Sequence, residues 1–307
     1  MTDTVRPFDH IVTIDWSARS APALGPDTIW SCWLDTRSDD VELTNHATRR
    51  GARDVLASRL TATDAERVLV AIDVSLGYPH GFARAAGLTG SPPGEPGWQA
   101  TWHHLSTELD DTADNDAAPT GDRWAVAARL NERLGLAHFW GVPPARATQD
   151  LPTTKPASLA DPEVGLGEFR LTERRLRAGG HRPFLVWQLL GAGAVGSQAI
   201  TAIPALHHLR HHQALAHRLR VWPFETGIRT PPTADIVIAE AWPSALPTAT
   251  VDAVEHPVKD ARQVVALATH LASLQRAGAL DAHFTPLLDP DEARAVVDEE
   301  GWVLGVA

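Results

Sequence analysis

Three acidic side chains stand at the ends of three short apolar runs, a place where sheet proteins often keep catalytic or metal-binding groups. The acids are Asp15, Asp73 and Glu240, and each follows a stretch rich in Ile and Val. A carboxylate at the end of a buried strand costs free energy unless it is paired, hydrogen-bonded or bound to a metal. The runs occupy residues 10–15, 67–73 and 235–240.

A fourth acid, Asp260, opens a segment with an apolar stripe of helical spacing at residues 264, 265, 267, 268, 271 and 274. Adjacent strands lie about 4.8 Å apart, so carboxylates at equivalent strand ends repel one another unless a cation neutralises them. Hard oxygen ligands of this kind suit Mg²⁺ or Mn²⁺. Enzymes that hydrolyse phosphate esters commonly use two such ions in one site. The four acids therefore predict a divalent-metal site.

Structural roles are the alternative for each acid taken singly. Asp260 in a first helical turn stabilises the helix dipole by about 0.3–1 kcal/mol without any ligand. The other acids have possible partners in Arg19, Arg123 and Lys259. That all four acids serve only such roles is the less favoured interpretation.

The elements that must position these acids follow from the apolar pattern. Residues 28–34 and 41–44 predict two further strands after the first, joined by short turns as in an antiparallel meander. Residues 50–60 predict a helix, and the strand ending in Asp73 comes next. A strand reached through a helix is most simply parallel to its neighbour in the sheet. The first 75 residues thus predict the order β-β-β-α-β.

The rest of the chain gives a mixed pattern. Helices are predicted at residues 122–134, with Asp122 as N-cap and Gly135 as stop, at 168–177 and at 291–297. The helix with the apolar stripe at 264–274 is predicted to have Asp260 in its first turn. Residues 220–225 predict a short strand, and 299–305 a strand-like end. Loops are predicted at the Gly- and Pro-rich segment 75–98, at the acidic run 110–116 and at the Pro-rich segment 141–162.

Two motifs imitate known sites. Residues 191–196 form G-x-G-x-x-G, but the acid that a dinucleotide fingerprint needs about 20 residues later is missing. Close backbone packing or a turn between helices is the favoured interpretation. His207, His208, His211 and His212 form i, i+4 pairs. No Glu lies between them as in the H-E-x-x-H motif, so a solvated helix face is favoured over a metal site.

Composition and charge restrict the class of protein. The 307 residues are 44% hydrophobic and 21% charged, as in a soluble globular chain, and we expect a cytoplasmic protein without signal peptide or membrane span. The net charge of −11 argues against tight, sequence-independent binding to long nucleic acids, although a local basic patch remains compatible with it. The single cysteine, Cys32, excludes an internal disulfide.

The order of strands and acids resembles the RNase H-like superfamily. More closely, the chain is similar to its branch of predicted RNase H-like nucleases, a domain family of unknown function. The resemblance implies one α/β domain over residues 1–307, with a mixed five-stranded central sheet flanked by helices and a mostly helical insertion at about 91–218. It rests on IDWS at 14–17, AIDVSLGYP at 71–79, AEAWPS at 239–244, KDA at 259–261 and EEGWVLG at 299–305.

The resemblance also implies functional roles. Asp15, Asp73, Glu240 and Asp260 are the implied metal ligands, and Lys259 would stabilise charge on a phosphate. We further expect substrate contacts from Ser17, Ser75, Tyr78 and Arg170; the first three stand in the matching stretches and Arg170 opens a basic segment. The chain departs from the family in its acidity, since nucleases of this superfamily usually present a basic track.

Three functions remain open from the sequence. The first is a hydrolase of phosphodiesters in a short or structured nucleic acid that depends on Mg²⁺ or Mn²⁺. The second is an enzyme acting on a small phosphorylated metabolite or nucleotide, which the net charge of −11 and the long insertion favour. The third is a scaffold that has kept the fold without catalysis, because a fold does not fix a function.

Overall fold

The computed structural model describes residues 6–307 except 64–65, 90–93, 110, 112–113, 116–121, 158, 160–165, 192–193 and 233. Most of the predicted acidic loop at 110–116 and two residues of the glycine motif lie outside the described residues. No helix in the described part of the chain has the length and apolarity needed to cross a membrane.

A mixed six-stranded sheet is formed by β1 His10–Asp15, β2 Ile29–Asp35, β3 Val41–His46, β4 Val68–Asp73, β5 Leu219–Val221 and β6 Ile236–Glu240. The order of the strands across the sheet is β3-β2-β1-β4-β6-β5. The β1–β2 and β2–β3 pairs are antiparallel, whereas β1, β4, β6 and β5 run parallel. The meander and the parallel crossover are confirmed. The prediction of five strands was wrong, because β5 adds a short edge strand.

Burial on both faces explains why the strands that end in acids are apolar throughout. Every residue of β4 before Asp73 is buried, as is every residue of β6. Parallel strands covered on both faces show continuous apolar runs of this kind, whereas half-exposed strands alternate. In β3 the exposed residues Val41 and Glu42 mark the edge of the sheet.

Most of the predicted helices are confirmed, and two predicted segments differ from the structure. The segment predicted as loop at 75–98 contains α2 (Phe82–Ala85) and the start of α3 (Gly97–Glu108). Pro96 precedes α3, and Trp98 and Trp102 are buried. The strand-like end at 299–305 makes only an isolated bridge between Val303 and Glu240. The α-helices are α1 Arg49–Ala62, α2 Phe82–Ala85, α3 Gly97–Glu108, α4 Arg123–Leu134, α5 Leu171–Ala178, α6 Gly196–His211, α7 Thr248–Asp252, α8 Lys259–Arg276, α9 Leu280–His283 and α10 Pro290–Ala295.

The chain divides into two compact units. The first comprises residues 1–74, 208–287 and 302–307 and contains the sheet, and the second comprises 75–207 and 288–301. Helices α2 to α5 and α10 belong to the second unit, together with a π-helical turn at Val296–Glu300. The helical unit thus starts earlier than the insertion expected at 91–218, and it also takes in a segment near the end of the chain.

The predicted boundaries of α4 are confirmed, and they give a stability test. The Asp122 side chain accepts a hydrogen bond from the Ala125 N–H, and Gly135 ends the helix at φ 67°. We expect Asp122→Ala to lower the free energy of unfolding by about 1–2 kcal/mol, because a buried helix start loses its cap. Urea unfolding measures the change. Asp122→Asn, which caps a helix nearly as well, should cost clearly less; equal losses would contradict the capping role.

Candidate functional site

Asp15 and Asp73 lie side by side at the ends of two adjacent parallel strands. The register of β1 and β4 pairs them directly, at the last position of each strand. Register-paired residues leave a sheet on the same face, so these carboxylates are close neighbours. Both residues are half-buried.

Helix α8 brings Asp260 to the same face. The Thr13 hydroxyl of β1 donates to the Val264 carbonyl of α8 over 2.7 Å, so α8 packs on the face that Thr13 shares with Asp15. Asp260 falls in the first turn of α8, and its charge contributes to the raised pKa of Asp15. Lys259, an exposed residue, lowers the pKa of both acids, so its ammonium lies near them.

The loop between β1 and β2 supplies an acid that the sequence analysis missed. The backbone N–H of Asp27 donates to Asp260 Oδ2 over 2.7 Å, and the charge of Asp27 raises the pKa of Asp15 and of Asp260. Asp27 adopts a left-handed φ of 56°, and its carbonyl accepts a hydrogen bond of 2.9 Å from the Ser17 hydroxyl. Ser17 is expected from the sequence to contact substrate; in the structure its hydroxyl donates a hydrogen bond within this loop. The substrate role itself stays a prediction.

Glu240 lies near Asp73 on the neighbouring strand, but its register position differs from that of Asp73 by one residue. Its register partner on β4 is Ile72, one position before Asp73, and strand alternation separates the faces of successive residues. Glu240 is buried at 3% exposure, and its charge contributes to the raised pKa of Asp73. Glu240 therefore belongs to the electrostatic environment of the aspartates, with Asp15, Asp73 and Asp260 forming the centre of the candidate site.

The electrostatics of this centre are unfavourable to ionised carboxylates. Burial and the neighbouring Glu240 raise the pKa of Asp73 to about 7. Burial raises the pKa of Asp15 well above its usual value, and the charges of Asp73 and Asp260 add to the effect. Burial also raises the pKa of Asp260. Crowded acids of this kind ionise readily only when a cation compensates them.

The donor set fits a hard divalent cation in chemistry. Carboxylate oxygens are the ligands that Mg²⁺ and Mn²⁺ prefer. The ligand atoms of the strand-end acids are, however, farther apart than those of a second group in the chain. Among the described residues, only His80, Asp298 and Glu299 bring three ligand atoms of His, Cys, Asp or Glu side chains within 4.8 Å of one another. An ion at the strand-end acids would thus have to draw those carboxylates together.

The three other residues expected to contact substrate are buried in the second unit. The Arg170 guanidinium donates to Glu173 Oε1 over 2.8 Å and to the Ser75 hydroxyl over 3.1 Å. The Tyr78 ring stacks on Phe82 at 4.5 Å between centroids, and its hydroxyl lacks a hydrogen-bond partner among the described residues. In the structure these side chains make internal contacts within the second unit. Their role in substrate binding stays a prediction.

The two imitating motifs lie next to the start and at the end of α6. A Cβ atom on Gly196 would lie 2.5 Å from the Val186 carbonyl oxygen, which agrees with the interpretation that this glycine permits close backbone packing. His207, His208 and His211 lie in α6, and the rings of His208 and His212 are 6.1 Å apart between centroids.

Comparison of the chain with known protein families, with curated proteins and with solved structures finds no match. The function must therefore be argued from the residues and their geometry.

Proposed function

We propose that this chain is an RNase H-like hydrolase of phosphodiesters that depends on a divalent metal ion and uses Asp15, Asp73 and Asp260 as its central acids. The observation that supports this most is the direct pairing of Asp15 with Asp73 at the ends of parallel strands. The first turn of α8 adds Asp260 on the same face. The order of strands, with a meander followed by parallel neighbours, favours the RNase H-like assignment.

Each residue has a distinct proposed role. Asp15, Asp73 and Asp260 would hold the ion, with Glu240 as the adjoining acid. Mg²⁺ or Mn²⁺, when bound, polarises a phosphoryl oxygen and activates water. Asp27 fixes Asp260 through its backbone N–H, so the carboxylate is oriented before substrate arrives. The ammonium of Lys259 would stabilise negative charge on a phosphate.

A small phosphorylated metabolite or nucleotide is the second candidate substrate. The net charge of −11 favours it, because a strongly acidic protein repels a long polyanion more than a small one. A parallel assay on a short oligonucleotide and on a nucleotide diester separates the two candidates. Hydrolysis of the nucleotide diester alone would favour the second.

Metal addition is expected to stabilise the wild-type chain. A ligand present at about 100 times its dissociation constant adds about 2.7 kcal/mol to the free energy of unfolding, so millimolar Mg²⁺ or Mn²⁺ should raise the Tm. Asp15→Asn should abolish this increase while the far-ultraviolet circular dichroism stays unchanged. Thermal unfolding with EDTA and with each metal measures both.

The matched control for Asp15→Asn is Asp54→Asn on α1, which removes the same charge from an exposed helix surface. Asp54→Asn should keep the metal-dependent increase in Tm. A metal response of wild-type size in Asp15→Asn would contradict the proposed site. If wild type shows no response and no hydrolysis, the interpretation as a scaffold without catalysis is favoured instead.

A further inference from the structure

A second group of metal-ligand side chains lies in the helical unit. His80 Nδ1 is 3.5 Å from Glu299 Oε2 and 4.0 Å from Asp298 Oδ2. This is the group noted above, whose three ligand atoms lie within 4.8 Å of one another in the described part of the chain. The spacing is close to what one ion could bridge with small side-chain rotations.

The backbone holds this group together without help from a ligand. Asp298 and Glu299 lie on the π-helical turn Val296–Glu300, a rare geometry that is frequent at functional sites. The loop before α2 packs directly on this turn, since a Cβ atom on Gly77 would lie 2.1 Å from the Glu299 carbonyl oxygen. His80, three residues after that glycine, is thereby fixed opposite the two acids.

Glu299 is the anchored member of the group. Its side chain is 3% exposed, and its two carboxylate oxygens accept hydrogen bonds of 2.5 Å from the N–H groups of Gly81 and Ala83. Ligating carboxylates are typically oriented by such hydrogen bonds. The side chains of His80 and Asp298 are 53% and 42% exposed, so both are free to adjust around an ion that enters from solvent.

We propose that His80, Asp298 and Glu299 bind one divalent transition-metal ion of the Zn²⁺ or Co²⁺ type. One imidazole nitrogen and two carboxylate oxygens suit these ions, whereas Mg²⁺ prefers oxygen ligands and keeps several waters. His80 also lines a cavity of about 490 Å³ in the same unit. This site is separate from the function proposed above and does not depend on it.

The test uses the full chain, stripped of metal with EDTA and titrated with Zn²⁺ in a calorimeter. Wild type should bind Zn²⁺, and His80→Gln and Asp298→Asn should each weaken that affinity by about tenfold or more. Both changes are at exposed side chains, so folding is preserved. Asp291→Asn, a change in an exposed acid that lines the same cavity, is the control and should bind as wild type does. Co²⁺ absorption in the visible range reports whether a nitrogen ligand is lost in His80→Gln.

Two further variants separate this site from other places where Zn²⁺ might bind. Asp15→Asn and His211→Gln should both retain the calorimetric Zn²⁺ binding of wild type. Absence of Zn²⁺ binding in wild type, or wild-type affinity in His80→Gln and Asp298→Asn, would overturn the proposal. So would loss of binding in Asp15→Asn or His211→Gln with retention in His80→Gln, because the ion would then belong to another site.

Discussion

Asp73→Asn is expected to stabilise the metal-free protein at about pH 8. Burial and Glu240 raise the pKa of Asp73 to about 7 in the folded chain, above its usual value of 3.8. Between these two pH values the unfolded chain has released the proton and the folded chain still holds it, so stability falls as pH rises. The uncharged Asn removes that loss. The expected gain is about 2–4 kcal/mol, since a tenfold change in an ionisation constant is worth about 1.4 kcal/mol.

Urea unfolding in EDTA at a series of pH values measures this effect. Wild type should lose stability from about pH 4 to pH 7 and then level off, whereas Asp73→Asn should show a flatter profile. Asp15→Asn should flatten the profile in the same direction, because burial and its acidic neighbours raise the pKa of Asp15 as well. A less stable Asp73→Asn at about pH 8 would show that the carboxylate is compensated in the folded chain.

Under the proposed function, Asp73→Asn should lose hydrolytic activity while it gains stability in the absence of metal. Without a ligand oxygen of Asp73, hydrolysis should fall by about 100- to 1000-fold, and the Tm should no longer rise with Mg²⁺ or Mn²⁺. Asp35→Asn is the matched control at the end of β2. The Asp35 carboxylate accepts hydrogen bonds from the Arg37 and Ser38 N–H groups, which hold its pKa below the usual value. Its loss should lower stability slightly and leave the metal response intact.

The strand-end acids could be predicted because their signal is local. β1, β4 and β6 are buried on both faces, so each is a continuous apolar run with a carboxylate at its end. The helix between β3 and β4 then favours a parallel crossover, and this is the arrangement that pairs Asp15 with Asp73. For these two residues, sequence and topology were sufficient.

The role of Glu240 could not be predicted from the same signal. Whether its side chain shares a face with Asp73 depends on the register between β4 and β6, and a slip of one residue reverses the face. Asp27 gave no signal either, because the left-handed turn that brings its N–H to Asp260 follows from loop packing. Nothing in Gly25-Pro26-Asp27 distinguishes that acid from an ordinary turn residue.

Arg170 was predicted to contact substrate because it opens a basic segment, but its environment suggests a different outcome for mutation. The guanidinium is 1% exposed and donates to Glu173 Oε1, to the Ser75 hydroxyl and to the Glu300 carbonyl. Ser75 and Glu300 lie 95 and 130 residues away in the chain, so no local pattern could have indicated these contacts. Arg170 therefore connects α5 to the loop before α2 and to the π-helical turn.

Arg170→Leu is accordingly expected to lower the free energy of unfolding by about 3–5 kcal/mol, because it leaves the buried Glu173 carboxylate without its ion-pair partner. Arg174→Leu, at an exposed position of the same helix, should change stability by less than about 0.5 kcal/mol. Adding Glu173→Leu to Arg170→Leu should restore part of the loss, since the buried negative charge that lost the guanidinium disappears. It should not restore all of it, because Glu173 Oε2 also accepts the Arg170 backbone N–H.

Urea unfolding of the four variants, analysed as a double-mutant cycle, gives the interaction energy of the pair. Hydrolysis assays on the same proteins separate the two roles of Arg170. A large loss of stability in Arg170→Leu with little loss of activity in the remaining folded fraction supports the structural role. Arg170→Leu could instead stay as stable as Arg174→Leu and raise the KM. That result would show that the guanidinium contacts substrate, as the sequence indicates, and that the buried ion pair does not hold α5 in place.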